Sequence, residues 1–434
     1  MPDELRISIE KLVYGGDGLA HADGNTVFVP YVLPGEEVRA AAKSKRKKMV
    51  WTQLLEVTSA SAQREGARCP HFQTCGGCHY QHIPATEQVR LKKEILRETL
   101  SRLGGIHWAG EIQEHAAEPY GYRNRAQWAV RDANPRAIGY FLPESSVIVP
   151  IDECPVLSPL LAKTFGQLQE LARSNRLPEK ALEIEAFTDS ADAKIALNVA
   201  FERFPQPPAE RAAIFREALP QLESLLLADD SKNRFELTGP GYLFHEAGGF
   251  RYRVSHLSFF QVNRFLIDDL LQTVVAGAKG ETALDLYAGV GFFTLPLTRA
   301  FNRVVSVDAN LAATRDLHVN AEAAGATVIS HNEHAEEFLR KTAEKPDFLS
   351  LDPPRSGLGA EAAAKLAALG AAEIAYLSCD PSTLARDLAV LTGSKTSSAA
   401  ASALPRYEIT NMHLFDLFPQ TYHIETLVRL RRAP

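Results

Sequence analysis

Apolar and polar positions fall into distinct textures along the chain. Over residues 5–60, short runs alternate apolar and polar residues: LRISIEKLVYGG, then TVFVPYVLPGEEVRAA, then WTQLLEVTS. This alternation, broken by turns at Gly15–Gly16, Asp23–Gly24 and Pro34–Gly35, predicts a small all-β barrel of OB-like type. Residues 61–82 lose the pattern and gather Cys, Pro and Gly. Residues 84–103 (PATEQVRLKKEILRETLSRL) predict an amphipathic helix, with Pro84 near its start and Gly104–Gly105 beyond its end. Residues 120–250 mix strand-like and helical segments, and RFPQPPAE (203–210) reads as a loop. From about residue 255, apolar strands alternate with helices: TALDLYAG, VVSVDAN, ATVISHN, DFLSLDPP, IAYLSCDP. That rhythm predicts a doubly wound α/β sheet. The Ser/Ala-rich stretch 392–405 reads as a surface loop.

Length and composition set limits on this picture. With 434 residues there is room for about three domains: a barrel over 1–60, a central α+β region over 61–250 and the α/β region over 251–434. The chain is 45% hydrophobic and 23% charged, the balance of a folded soluble protein. Five cysteines are too few for a disulfide scaffold and point to a cytoplasmic protein whose thiols have chemical work. No apolar run approaches the roughly 18 residues of a membrane span, and MPDELRISIE lacks the pattern of a signal peptide.

The net charge of −6 hides an asymmetry. Residues 1–136 carry 19 Lys and Arg against 16 Asp and Glu, so the remainder is strongly acidic. Residues 39–48 (RAAAKSKRKK) hold six basic residues and no acid. Such a run, with Lys45, Arg46, Lys47 and Lys48 at its end, is either a solvated edge or a phosphate contact that releases counterions from a nucleic acid. In GYRNRAQWAVR (121–131), Arg123 and Arg125 alternate along a strand beside Trp128. They therefore share a face, which suits either a splayed RNA loop or a plain basic surface.

LDLYAGVGFF (284–293) is an apolar strand running into a Gly loop. Gly289 and Gly291 let the backbone approach a ligand, and Asp308 ends the next strand, where an acid can accept ribose hydroxyls. Together these predict a nucleoside cofactor. The dinucleotide fingerprint fails, because Thr294 stands where a third Gly is needed. Asp352, Cys379 and Glu425 stand at predicted carboxyl ends of strands, where ligands sit in open α/β sheets. Singly, each has an ordinary reading: a turn cap, a small buried thiol, a surface acid. Jointly they suit methylation of uracil at C5. A soft nucleophile adds to C6, a carboxylate removes the C5 proton, and a third polar group orients the ring. The thiol acts as thiolate, so the site is expected to lower its pKa.

These segments resemble the uracil-5 RNA methyltransferase family of the RumA/TrmA type. SFFQVN (258–263), LDLYAGVGFFTLPL, VVSVDAN, LDPPRSG and SCDPSTLARDL stand in the family's order, followed by Glu425. GGDGLAH…VFVPYVLPGE resembles the TRAM domain, an RNA-binding barrel. The resemblance implies a Rossmann-like methyltransferase domain that uses S-adenosylmethionine and acts on RNA. It assigns Cys379 as nucleophile, Glu425 as base, and Gln261, Tyr287, Asp308 and Asp352 as cofactor positions, with His334 near a further contact. Phe292 departs from the pattern, standing where members often carry Asn.

The remaining cysteines form Cys69-x5-Cys75-x2-Cys78 with Cys154 far downstream. Spacing alone leaves an iron–sulfur cluster, a zinc site or reduced thiols without metal open. One branch of the family carries a [4Fe–4S] cluster in this arrangement, so the resemblance implies that cluster. The resulting expectation is a monomeric enzyme forming 5-methyluridine in structured RNA, 23S rRNA first and tRNA second. A non-catalytic RNA-binding assembly factor and an iron–sulfur electron carrier are the competing classes.

Overall fold

The computed structural model describes residues 4–131, 136–229, 233–394 and 405–434. The predicted N-terminal strands are present as a six-stranded sheet in the order Glu4–Ser8, Glu37–Arg46, Met49–Ser59, Asn25–Pro30, Asp17–Ala22, Lys11–Leu12. The two edge strands are nearly continuous. Ile9 N donates to Glu36 O and Glu10 N to Leu19 O, both at 2.9 Å, so one bent segment bonds to both sides and closes the sheet into a barrel. Period-two alternation points Ile7, Val27, Val29, Val38 and Val50 inward. Glu36 is fully buried beneath them. Burial opposes its charge, but Arg64 and the N–H groups of Leu33 and Ser61 outweigh that and hold its carboxyl below the usual range.

The basic run lies on the hairpin formed by Glu37–Arg46 and Met49–Ser59, with Lys47 at its turn (φ 55°). Arg39 pairs with Glu4 and Glu56. The side chains of Lys45, Arg46, Lys47 and Lys48 are exposed and make no ion pair among the described residues.

The amphipathic helix is present at Ala85–Thr99, continues as a wider turn over Leu100–Gly104 and ends at Gly105 (φ 65°). It does not pack within a separate central unit, as the 61–250 boundary expects. Val89, Ile95, Leu96 and Leu100 share one core with Leu284, Leu349, Leu351 and Leu384. Its apolar stripe therefore covers the C-terminal sheet, and the strand Gln113–His115 adds to the edge of that sheet beside Tyr407–Phe415. The boundary at 250 also cuts a hairpin, Tyr242–Ala247 with Phe250–Ser255.

The central sheet has seven strands: Ile148–Pro150, Ala137–Phe141, Arg125–Arg131, Ala181–Thr188, Ile195–Phe201, Leu222–Asp229 and Phe235–Thr238. Helices Pro159–Arg173 and Pro208–Ala218 supply Leu161, Phe165, Leu168 and Phe215 to a core with Trp128, Ile184, Leu197 and Leu225. The expected loop at 203–210 ends at Pro207, because Pro208 opens the second helix, a position where its missing N–H is harmless. The opposite face carries Glu183, Glu185, Asn198 and Ala228 and meets Ala312, Arg315 and Asp316 of the helix Leu311–Ala323 across a cavity.

The C-terminal sheet runs Ile329–His331, Phe301–Val307, Gly280–Leu286, Phe348–Leu351, Glu373–Ser378, Glu425–Arg432, Tyr407–Phe415, Gln113–His115. The first five strands are parallel, and Glu425–Arg432 enters antiparallel beside Glu373–Ser378. The chain winds outward from Gly280–Leu286 in one direction, then crosses to Phe348–Leu351 and winds the other way. That reversal opens a crevice at the carboxyl ends of the strands. The expected loop at 392–405 lies largely outside the described residues; the helix Pro381–Thr392 leads into it.

Candidate active site

Asp352 and Cys379 immediately follow the neighbouring strands Phe348–Leu351 and Glu373–Ser378. The expected place of Glu425 at the carboxyl end of its own strand is corrected: it opens the adjacent strand, which runs antiparallel with Thr426 paired to Ser378, so its start lies at the carboxyl ends of the parallel strands. Register thus sets Glu425 next to Cys379 across the ladder. Asp380 fixes the turn after the cysteine, its carboxylate accepting from Ser382 N (2.8 Å) and Thr383 N (2.9 Å) at the start of the following helix. Gln261 reaches in from another segment, with its Nε2 3.4 Å from Asp352 Oδ2.

Burial dominates the electrostatics. It pushes the Cys379 thiol up to about 12, and the charges of Glu425 and Asp352 push the same way, while Arg355 pulls down. The expectation of a lowered thiol is therefore corrected: a half-enclosed sulfur between two carboxyls favours its neutral form. Burial, then the charge of Asp352, holds the Glu425 carboxyl well above the usual range, again against Arg355. Burial and the charge of Asp285 push Asp352 up to about 7, against its hydrogen bond from Gln261. Arg355 is the cation that opposes the rise at both Cys379 and Glu425. Its guanidinium lies 3.3 Å from both ring nitrogens of His423, and burial followed by that guanidinium drives His423 down to about 3, leaving it neutral. Sequence reasoning missed Arg355, although LDPPR held the signal.

The Gly loop follows Gly280–Leu286 with three left-handed residues, Tyr287 (φ 61°), Gly289 (φ 56°) and Gly291 (φ 91°). A Cβ at 291 would stand 3.2 Å from the Leu317 side chain, so glycine is needed there for space as well as for φ. Gly289 N donates to Asp308 Oδ2 at 2.8 Å, and Asn310 N to Oδ1 at 2.7 Å. Each oxygen keeps a second lone pair for a hydroxyl. The Tyr287 ring packs on the core while its hydroxyl donates to Glu336 at 2.9 Å. Phe292 is buried among Tyr252, Phe260 and Phe293, and its carbonyl accepts from Tyr252 OH at 3.1 Å.

Two further features lay outside the sequence reading. Asp285, an acid inside an apolar strand, accepts from Thr294 Oγ1 (2.5 Å) and Ser350 Oγ (2.7 Å). It ties the Gly loop strand to the short helix after the loop and to the neighbouring strand, which explains why Thr replaces Gly at 294. His334 is exposed and starts the helix Ala335–Lys341; the side chain that meets the turn at Asp308 is Asn332, whose Nδ2 donates to Asp308 O at 2.9 Å.

The segment 416–424, just before Glu425, gathers contacts from the rest of the chain. Lys92, fully buried, pairs with Asp416 at 2.6 Å. His79 N and Tyr80 N both donate to Gln420 O, at 2.8 and 3.0 Å. Tyr122 OH donates to Pro419 O at 3.2 Å, and Asn263 Nδ2 to Leu417 O at 3.1 Å. From the barrel, Tyr14 meets Tyr422 edge-on at 5.7 Å and donates its hydroxyl to Cys379 O at 3.5 Å.

Cys69, Cys75, Cys78 and Cys154 line one small cavity of about 50 Å³. Gly77 N donates to Cys75 Sγ at 3.4 Å. Burial, then neighbouring thiol charge, pushes Cys78 up to about 11 and Cys154 up to about 12. Among the described residues, no three His, Cys, Asp or Glu side chains converge so as to hold a single metal ion. Arg123 lines the same cavity and turns its Nε to Arg125 O at 2.8 Å. Arg125 pairs with Glu185 at 2.7 Å, donates to Ser258 O and lies over the Phe187 ring. Trp128 is wholly buried and stacks on Phe165 at 5.0 Å. The shared basic face expected for Arg123 and Arg125 does not form: Arg123 stands before the strand Arg125–Arg131 and lines the cysteine cavity, while the Arg125 guanidinium is engaged by Glu185, Ser258 and the Phe187 ring.

Comparison with known proteins gives a consistent result. Residues 85–433 match the family described as tRNA (Uracil-5-)-methyltransferase, and residues 3–48 match the TRAM domain. A protein of Alkalilimnicola ehrlichii named 23S rRNA (uracil(1939)-C(5))-methyltransferase RlmD is 30% identical over 99% of this chain and 97% of its own. One of the same name from Pseudomonas entomophila is 33% identical over 97% and 92%. The solved structure of the Pyrococcus abyssi tRNA (uracil-54, C5)-methyltransferase with S-adenosyl-L-homocysteine shares the fold, with a TM-score of 0.76 and 23% identity over 98% of this chain and 100% of that one.

Proposed function

This chain belongs to the tRNA (uracil-5-)-methyltransferase family, and from that premise we propose that it forms 5-methyluridine in a structured RNA with S-adenosylmethionine as methyl donor. The observation that carries the reading is the meeting of Cys379, Glu425 and Asp352 at the carboxyl edge of the sheet, beside the Gly loop. The loop at Gly289 and Gly291, Asp308, Tyr287, Gln261 and Asp352 would hold the donor, which supplies an electrophilic methyl on a sulfonium. His334 is a weaker candidate contact.

Cys379 Sγ adds to C6 of the uracil, which places electron density on C5. After C5 has gained its methyl, Glu425 takes the C5 proton and Sγ departs with its electron pair. Asp352 orients the ring. The resting thiol is protonated, so its proton must leave as the target base fills the site. Arg355, which opposes the rise at both the thiol and the base, favours the charged forms at that moment. A base inside a helix cannot be reached by a thiolate, so the target uridine is flipped out.

The RNA named for the relatives at 30% and 33% identity supports 23S rRNA as the substrate. Lys45, Arg46, Lys47 and Lys48 on the barrel hairpin are the phosphate contacts. For the cysteines, a [4Fe–4S] cluster is the best fit. Four thiols on the wall of one cavity suit a multi-iron group better than a single ion, and a cationic centre relieves the cost of gathering four thiolates. It would be held by Cys69, Cys75, Cys78 and Cys154 in a structural role. We place the protein in the cytoplasm as a monomer: among the described residues no helix is long and apolar enough to cross a membrane, and one chain supplies every residue named.

The test uses an RNA fragment with 5-fluorouridine at the target, which has no C5 proton to lose. The expected result is a denaturation-resistant protein–RNA adduct that Cys379→Ala does not form. An absence of adduct with the unaltered protein rejects the mechanism.

A further inference from the structure

The face of the central sheet turned away from its two helices and the helix Leu311–Ala323 enclose a cavity of about 350 Å³, within the range of about 300–1,000 Å³ typical of ligand sites. None of the residues assigned above to catalysis, donor binding or the cysteine cavity lines it. Leu226, Ala228 and Leu237 form an apolar wall, with Phe235 (64% exposed) and Leu257 (51% exposed) alongside. Most polar groups here already have partners. Glu185 is held by Arg125 and Asn198. Asp316 takes Ser255, Ser258 and Arg253. His256 bonds Ser224 and Asn198. Two groups of opposite charge differ: Glu183, at a bulge in the strand Ala181–Thr188, and Arg315 make no hydrogen bond or ion pair among the described residues.

We propose that this cavity receives an unpaired guanine of the RNA substrate, read by Glu183 and Arg315 and stacked on Phe235. The inference rests on the RNA-methylation reading and adds a specificity determinant to it. A carboxylate accepts guanine N1–H and N2–H together, and a guanidinium donates to O6 and N7 on the adjoining edge. Uracil offers a single N–H between two carbonyls that repel a carboxylate. Adenine and cytosine each present one exocyclic amine. The exposed aromatic supplies the stacking on which recognition of splayed RNA bases depends. The cavity also connects to the reacting centre. Ser255 and Leu257 on its wall begin the segment that carries Gln261 to within 3.4 Å of Asp352. A guanine seated here would set the register of the strand that delivers the target uridine.

The experiment measures binding of the full chain to fluorescent hexauridylate and to the same oligonucleotide with one central guanosine, adenosine, cytidine or inosine. The guanosine version is expected to bind about tenfold tighter, equivalent to about 1.4 kcal/mol, and inosine, lacking N2, to lose part of that gain. Glu183→Gln and Phe235→Ala should each abolish the preference. No preference for guanosine, or a preference that survives both substitutions, overturns the proposal. Adduct formation by Cys379 with 5-fluorouridine RNA needs no guanosine preference. A protein that forms the adduct without the preference loses only this inference, and one with the preference and no adduct loses only the methylation mechanism.

Discussion

Gln88 and Gln420, 332 residues apart in the chain, hold each other through two hydrogen bonds: Gln88 Nε2 donates to Gln420 Oε1 at 3.0 Å, and Gln420 N donates to Gln88 Oε1 at 2.8 Å. Both are buried. The helix after the cysteine segment is thus clasped to the loop that delivers Glu425.

The buried Lys92–Asp416 pair strengthens the same clasp. Removing one partner leaves a buried charge unmatched, which costs about 3–5 kcal/mol. Lys92→Met should therefore destabilise the chain by about that amount in denaturant titration, and Lys92→Met combined with Asp416→Leu should recover much of it. A double variant no more stable than the single would show that the pair is not the source.

Glu425→Gln separates the two chemical stages. It should still form the covalent complex with ordinary uridine RNA, because the thiol is intact, but turnover should fall by at least about a hundredfold, the scale of lost general-base help. Single-turnover mass analysis reads both quantities. Full turnover in the variant would remove Glu425 as the base.

Acidity follows from the raised groups. Cys379, near 12, must lose its proton to add to C6, and the raised Glu425 must lose its own before the later C5 step, so the rates of adduct formation and of turnover should both climb with pH through the neutral range. Arg355→Gln removes the cation that lowers both, so it should slow adduct formation at pH 7.5 about tenfold and move the profile to higher pH. An unshifted profile would contradict this role for Arg355.

Stability should run the other way. Asp352 is raised to about 7, and Asp285 and Asp17 to about 6. Their folded-state pKa values lie above the unfolded ones, so their contribution is full below about pH 4 and is lost as pH rises through 6 to 7. Melting temperature should fall between pH 5 and 8, and Asp352→Asn should flatten part of that fall.

Iron and acid-labile sulfide in anaerobically purified protein should accompany Cys69, Cys75, Cys78 and Cys154. Removing the group should speed hydrogen exchange in 416–424, because His79 and Tyr80, next to Cys78, bond Gln420. Zinc without iron would overturn the cluster assignment.

Much of this architecture is legible in the chain because local pattern and tertiary fold agree. LDLYAGVGFF announces strand, loop and helix by its own apolar run and glycines, and the structure adds only the Asp285–Thr294 clasp beneath them. What escapes is set by distant partners. Nothing near Arg125 reveals that Glu185 and Ser258 will claim its guanidinium. The stripe on Ala85–Thr99 shows that the helix has a core face but not which sheet that face will cover. The Cys379 thiol illustrates the same limit in electrostatics: the sequence supplies the thiol, while its resting protonation depends on two carboxyls and an arginine brought in by other segments.

The strand Glu425–Arg432 occupies an interior position in the C-terminal sheet, and a strand some three hundred residues earlier in the chain, Gln113–His115, finishes its rim. The enzyme consequently has no detachable catalytic module. A fragment starting at residue 251 would present a bare β edge inviting association with other chains. A chain cut short before Glu425 would have neither a complete sheet nor the carboxylate proposed as its base, so such products should be inert and readily cleared instead of competing for RNA.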